Sequence, residues 1–159
     1  MINLKLGISG HRPHKITPAA YLQIKRDLRE RLEILAEDYQ LTLLSGMALG
    51  VDLFAAKVAA QIKLPFEAFI PFDGYDSRWS PEDRADLQKL LAKARKIHIV
   101  CSEASKFAFI KRNEALVTAS DQLLAYLLPQ EVNSGTAQTV NFAYGLCKPV
   151  KVINPLDLA

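Results

Sequence analysis

Four short segments hold most of the residues able to do chemistry in this chain. Gly7-Ile8-Ser9-Gly10-His11-Arg12-Pro13 places a histidine and an arginine directly after small residues. Arginine presents a planar fork suited to phosphate or carboxylate, and histidine can donate a hydrogen bond or shuttle a proton near neutral pH. Ser45-Gly46-Met47-Ala48-Leu49-Gly50-Val51-Asp52 and Asn133-Ser134-Gly135-Thr136 share another form, small residues followed at once by a helical pattern. Glycine lets the backbone approach an oxyanion, and a helix start offers unpaired N–H groups at its positive end. Both loops are therefore expected to cradle phosphate, with Ser45, Ser134 and Thr136 as added hydroxyl donors. The competing reading is that Gly46 and Gly135 only make tight turns. The fourth segment, Pro71-Phe72-Asp73-Gly74, leads to Arg78 and to Trp79, the one tryptophan, which either stacks on a base or caps the core. His14 and Lys15 read as solvated turn residues. By itself, Lys111-Arg112-Asn113-Glu114 reads as an exposed turn of helix.

The elements that must position these residues follow from hydrophobic period. Short apolar runs predict strands at Leu4–Ser9, Leu41–Ser45, Phe66–Ile70, Lys96–Cys101, Gln122–Leu128 and Val150–Ile153. Longer amphipathic stretches alternate with them, the pattern of βαβ units and a parallel sheet covered on both faces. Thr17-Pro18 supplies an N-cap and an N1 proline, after which Tyr21, Ile24, Leu28, Leu32 and Leu35 form one apolar stripe. Ser80-Pro81-Glu82-Asp83 starts a second helix, running to about Ala94, with acids in its first turn. Further helices are expected at Leu49–Gln61, Phe107–Ser120 and Thr136–Leu146, the last ended by Gly145. The fold class is therefore α/β: a single Rossmann-like three-layer domain over residues 1–159, with a mainly parallel sheet of about six strands and helices on both faces. In such sheets ligands bind beyond the carboxyl ends of the strands. Of the 7 glycines, all but Gly145 fall at or past those ends.

Composition narrows the classes of function. With 50% hydrophobic and 23% charged residues, the chain is that of a soluble globular protein. No stretch reads as a membrane span or secretion signal, so a cytoplasmic location is expected. Cys101 and Cys147 have no CxxC spacing and are expected to be buried small hydrophobes; the three histidines are not spaced with them as zinc ligands, so neither metal nor cofactor is expected. A net charge of +3 permits nucleic-acid binding without arguing for it. Neither GxGxxG nor GxxxxGK[ST] is present.

Taken in order, the four segments, with Arg112-Asn113-Glu114, resemble the YpsA-like branch of the SLOG superfamily from the first strand to the last helix. The Ser45–Asp52 segment also resembles its counterpart in the DNA-processing proteins of that superfamily. The resemblance implies a nucleotide or nucleotide-derived ligand, such as an ADP-ribose-like species, at the carboxyl edge. The implied site is Gly7, Ser9, Gly10, His11, Arg12, Ser45, Gly46, Met47, Gly50, Trp79, Arg112, Asn113, Ser134, Gly135 and Thr136, and a homo-oligomer is implied as well. In the LOG enzymes of the superfamily a PGGxGTxxE motif supplies a glutamate for N-glycoside cleavage; here Thr139 stands at that position. A hydrolase of nucleoside monophosphates is thus the second reading, with Asp52 and Glu114 as candidate catalytic carboxylates. Single-stranded DNA binding is the third. Acids interleaved with bases and the lack of a repeated aromatic platform count against it.

Overall fold

Six runs rich in β-branched and aliphatic residues pair edge to edge in the computed structural model, which describes residues Met1–Leu158. The strands are β1 (Asn3–Gly10), β2 (Gln40–Ser45), β3 (Phe66–Ile70), β4 (Lys96–Ile99), β5 (Gln122–Tyr126) and β6 (Val150–Ile153). All neighbours are parallel, in the order β4-β3-β2-β1-β5-β6. The five α-helices are α1 (Pro18–Asp38), α2 (Val51–Gln61), α3 (Pro81–Lys93), α4 (Lys106–Ala119) and α5 (Gly135–Gly145). No helix among the described residues is long and apolar enough to cross a membrane.

The strands alternate their side chains between two cores. Leu6, Ile8, Leu43 and Phe66 pack with α1, α2 and α3 on one face. Leu44, Phe69, Leu123 and Ala125 pack with α4 and α5 on the other. Helices α1 and α5 thus leave neighbouring strands β1 and β5 toward opposite faces. Such a switch point opens a crevice at the carboxyl ends of the two strands.

Local chemistry sets most element ends. Thr17, Ser80, Ser105 and Ser134 cap their helices by accepting from the N–H three residues on. Ile24, Leu28 and Leu32 of the expected stripe are fully buried. Most boundaries agree with the sequence reading to within one residue, and three differ by two. Strand β4 stops at Ile99, although Val100 and Cys101 still donate to Ile70 and Pro71. Strand β5 stops at Tyr126 because Leu128 N–H donates to a histidine side chain and not to a neighbouring strand. Helix α2 starts at Val51, not Leu49, because Gly50 has φ 101° and cannot continue a helix backwards. The cysteines also differ: Cys101 is half-buried, and Cys147 is exposed in a left-handed residue just past α5.

Two partly buried polar clusters tie elements together. Tyr126 Oη and Arg31 Nε both donate to Asp27 Oδ2 at 2.7 Å, joining β5 to α1. Glu67, buried on β3, accepts from Arg95 Nη2 at 2.9 Å and lies 2.8 Å from His98 Nε2. Burial works to raise the Glu67 pKa, but the hydrogen bonds from His98 and Arg95 outweigh it, and the carboxyl stays below its ordinary range.

Gly7 lets α4 close onto the sheet: a Cβ there would lie 2.4 Å from Ser120 Oγ and 2.9 Å from Leu116 Cδ2. Gly7→Ala is expected to destabilise the protein by about 1–3 kcal/mol through overpacking. That corresponds to roughly 2–12 °C in melting temperature, read by circular dichroism or calorimetry.

Candidate functional site

The loop after β1 is anchored before it reaches the crevice. Gly10 has no room for a side chain, since a Cβ would lie 2.4 Å from Val51 Cβ, and the start of α2 therefore sits directly against the end of β1. At Gly50 a Cβ would lie 2.4 Å from the His11 carbonyl oxygen, in addition to the strain of its positive φ. His11 is almost fully buried, and its Nε2 accepts from Leu128 N–H at 3.0 Å. A peptide N–H can only donate, so Nε2 carries no proton and the ring is neutral with its hydrogen on Nδ1. Burial pushes the His11 pKa down, with Glu131 acting in the opposite sense. His11 thus joins the loops after β1 and β5 as a neutral ring on the cavity wall. A second tie between these loops is the Lys15–Glu131 ion pair at 2.7 Å.

The loop after β2 turns inward. Ser45 Oγ donates to Asp52 O at 2.7 Å and accepts from Met47 N–H at 3.1 Å, so its hydroxyl is not available to a ligand. Met47 is fully buried with φ 55°, and its carbonyl accepts from Tyr75 Oη at 2.7 Å. Arg112 of α4 reaches across from the opposite layer: Nη1 donates to Gly46 O at 2.7 Å and Nε to Asn113 Oδ1 at 2.8 Å. A Cβ on Gly46 would lie 3.0 Å from Arg112 Cδ and 3.1 Å from Asp52 Oδ2. At the start of α2, Val51 N–H points to His11 O at 3.4 Å and Leu53 N–H to Ala48 O at 3.0 Å.

The two glycine loops, equivalent in the sequence reading, are therefore different objects. Around Gly46 the space a phosphate needs is filled by Arg112 and Asp52. At Gly135 a Cβ would meet nothing within 4 Å. Ser134 caps α5 by accepting from Ala137 N–H and donates its own proton to Glu131 O. The peptide N–H groups of Gly135 and Thr136 have no acceptor among the described residues, as expected for the first turn of a helix. Thr139, at the glutamate position of the LOG motif, donates to Gly135 O at 2.8 Å and is buried.

Two cavities meet at this edge. The first, about 430 Å³, is lined by Ser9, Gly10, His11, Arg12, Asp52, Arg112, Asn113, Ser134, Gly135 and Thr136 among others. The second, about 540 Å³, is lined by Trp79 with Phe72, Tyr75, Arg78 and Phe109. Arg12, Ala48, Phe109 and Arg112 line both. Tyr75 and Trp79 meet edge to face at 5.4 Å, so Trp79 belongs to an aromatic wall and also packs against the core. Gly7, Ser45, Gly46, Met47 and Gly50 line neither cavity; they shape the support beneath it. Glu114 lines neither, because successive helical residues are turned by about 100° and the cleft-lining residues of α4 are Phe109, Ile110, Arg112 and Asn113. His14 and Lys15, read as solvated, line the first cavity, as do Ile110 and Gln138, which sequence reasoning did not single out. The i, i+3, i+4 spacing of Phe109, Arg112 and Asn113 was the available signal. Phe72, Tyr75 and Arg78 come from a loop whose path no sequence period reveals.

Asp52 is the electrostatic centre of the first cavity. Burial raises its pKa from 3.8 to about 6; Arg112, the peptide N–H groups of Ala48 and Gly10, and Arg12 all act to lower it. Burial also lowers the Arg112 pKa, opposed by Asp52. Among the described residues no group of three or more His, Cys, Asp or Glu is placed to hold a metal ion.

A family model described as the YspA SLOG family matches residues 6–154. A UPF0398 protein of Bacillus pumilus (strain SAFR-032) is 25% identical over 142 residues, covering 81% of this chain and 76% of its own length. A UPF0398 protein of Bacillus thuringiensis (strain Al Hakam) is 29% identical over 110 residues, and the chain spans only 59% of its length. Among solved structures, DNA processing protein A from Helicobacter pylori superposes with a TM-score of 0.71 at 22% identity, covering 98% of this chain and 71% of that one. The molybdenum cofactor carrier protein from Chlamydomonas reinhardtii gives 0.60 at 18% identity, covering 94% and 75%. At these identities the structural likeness establishes the fold.

A carboxyl whose folded pKa lies above its unfolded value of 3.8 weakens the fold once ionised. Asp52→Asn is therefore expected to stabilise the free protein by up to about 3 kcal/mol near neutral pH. Because the wild-type penalty grows as pH rises from the unfolded pKa through about 6, the gain should vanish below about pH 4. Denaturant melts of both proteins across this range check it; a variant less stable than wild type at neutral pH would contradict it.

Proposed function

The chain belongs to the YspA SLOG family, and we propose from that membership and from the shape of the cleft that it binds a nucleotide-type ligand at the carboxyl edge of its sheet. The observation that carries this reading is the open first turn of α5. There the unbonded N–H groups of Gly135 and Thr136 face a cavity that also holds Arg12 and Arg112. Peptide donors at the positive end of a helix, with guanidinium groups nearby, suit a phosphate. The adjoining cavity, walled by Trp79, Tyr75, Phe72 and Phe109, suits a planar ring. A ligand with phosphate in one cavity and base in the other satisfies both.

Hydrolysis of an N-glycosidic bond is the second reading, favoured by one observation. Asp52 is a buried carboxyl with a pKa near 6, the range in which a general base works at neutral pH. Its partner in the sequence reading, Glu114, stands outside both cavities, and Thr139 supplies no carboxylate. The chemistry would rest on Asp52 alone.

Two solved relatives in fold supply the remaining comparison. The Helicobacter protein is described by its single-stranded DNA binding mode and the Chlamydomonas protein as a molybdenum cofactor carrier. Single-stranded DNA carries phosphate, the group to which the α5 turn is suited. Extended single strands need a run of aromatic platforms along a basic groove. Here the aromatics gather in one cavity.

Because Trp79 is the one tryptophan, its fluorescence reports directly on the second cavity. Titration with AMP, ADP, ADP-ribose and NAD is expected to change that emission. Ligand at about 100 times its Kd should stabilise the protein by about 2.7 kcal/mol. Arg12 is exposed, and Arg12→Ala should weaken binding by about tenfold or more without unfolding the chain. No change in emission or melting temperature with any of these at millimolar concentration would refute the reading.

A further inference from the structure

Two charged groups on the cleft floor each keep a polar atom that the other does not reach. Asp52, 7% exposed, has an Oδ1 with no hydrogen-bond partner among the described residues. Arg112, 5% exposed, uses Nη1 for Gly46 O and Nε for Asn113, and its Nη2 has no acceptor among the described residues. The two approach Gly46 together, yet they form no ion pair within 4.0 Å. Unpartnered buried polar atoms are few in native proteins, and each has a cause. Here one oxygen of the carboxylate is without a donor, one nitrogen of the guanidinium is without an acceptor, and both residues line the same cavity.

The chemistry of what fits between them is narrow. A phosphate only accepts and would be repelled by Asp52. An ammonium only donates and would be repelled by Arg112. An apolar group would leave both unpaired, which is costly for buried charges. A hydroxyl donates and accepts at once. We propose that the floor between Asp52 and Arg112 reads a sugar hydroxyl of the bound ligand, which donates to the Asp52 carboxylate and accepts from the Arg112 guanidinium. This rests on the nucleotide reading above and adds a specificity: ribose is bound, and a sugar without these hydroxyls is refused.

A pH signature follows. A hydroxyl that donates to Asp52 needs the ionised carboxylate, so binding should strengthen as pH rises through about 6. The other charged or titratable groups facing Asp52 are Arg112 from α4, Arg12 from the β1–α1 loop, Tyr21 from α1 and Tyr75 from the β3–α3 loop, and burial holds both tyrosines above their ordinary range. His11 stands on the same cavity wall, already bonded to Leu128 N–H.

The test is the affinity of the full chain for AMP and for 2′,3′-dideoxy-AMP, measured by calorimetry. Both carry the same phosphate, so their affinity ratio cancels its titration. Wild type should prefer AMP by about tenfold or more at about pH 8, since a site built to bond a hydroxyl rejects the analogue lacking it. That preference should shrink toward unity at about pH 5. In Asp52→Asn, with its fold checked by circular dichroism, the ratio should stay small and flat with pH. Equal wild-type affinity for the two ligands at about pH 8 overturns this inference and leaves the nucleotide reading standing. Failure of both to bind overturns both.

Discussion

A buried guanidinium holds the carboxyl edge together. Arg112 leaves α4 in one layer and ends on the Gly46 carbonyl of the loop that leads into α2 in the other. Taking such a cation out of water costs several kcal/mol unless its surroundings compensate. The surroundings have the form this demands. A carbonyl accepts at 2.7 Å, Asn113 accepts beside it, the negative Asp52 faces it, and Gly46 keeps the space clear. The compensation is mutual but incomplete, since Asp52 carries a raised pKa and an unpartnered oxygen. Both cavities are built on this residue.

Glycine does two opposite jobs along the same edge. At Gly7, Gly10 and Gly50 a Cβ would collide with neighbouring atoms, and at Gly46 it would crowd Arg112 and Asp52, so these residues let helices and side chains approach the strands. At Gly135 nothing stands within 4 Å, and the missing side chain leaves the first turn of α5 open. The first group makes the wall dense; the second makes an opening in it. Residue type does not separate these roles, because a glycine's use depends on what lies opposite its missing Cβ.

Much of the architecture was legible because it rests on local period and local caps. Six strands and five α-helices stand where apolar runs and amphipathic stripes alternate, and the caps of Thr17 and Ser80 are formed by the residues that predicted them. The carboxyl edge as the place of the crevice followed too, since a parallel sheet allows little else. The exceptions have particular causes. Leu128 leaves β5 for the ring of His11, and Glu67 survives in a buried strand because Arg95 and His98, distant in sequence, close around it. Cys147, in an apolar stretch of sequence, is exposed because the chain turns left-handed just past the end of α5. Glu114 missed the cleft by one helical step.

Sequence alone determined the fold class, the order and approximate extent of the elements, and the edge on which the crevice opens. These depend on each residue and its near neighbours, and so survive being read along a line. Only the tertiary structure decided what each site residue does. It turned His11 into a neutral tie, committed the hydroxyls of Ser45 and Thr139 to the backbone, brought Trp79 beside Tyr75, and set Asp52 and Arg112 near each other without contact. The His11 tie joins the loops after β1 and β5, and the Asp52–Arg112 approach joins α2 to α4 across the sheet. Burial, hydrogen bonding and charge at such meetings depend on distances that no spacing in the chain encodes.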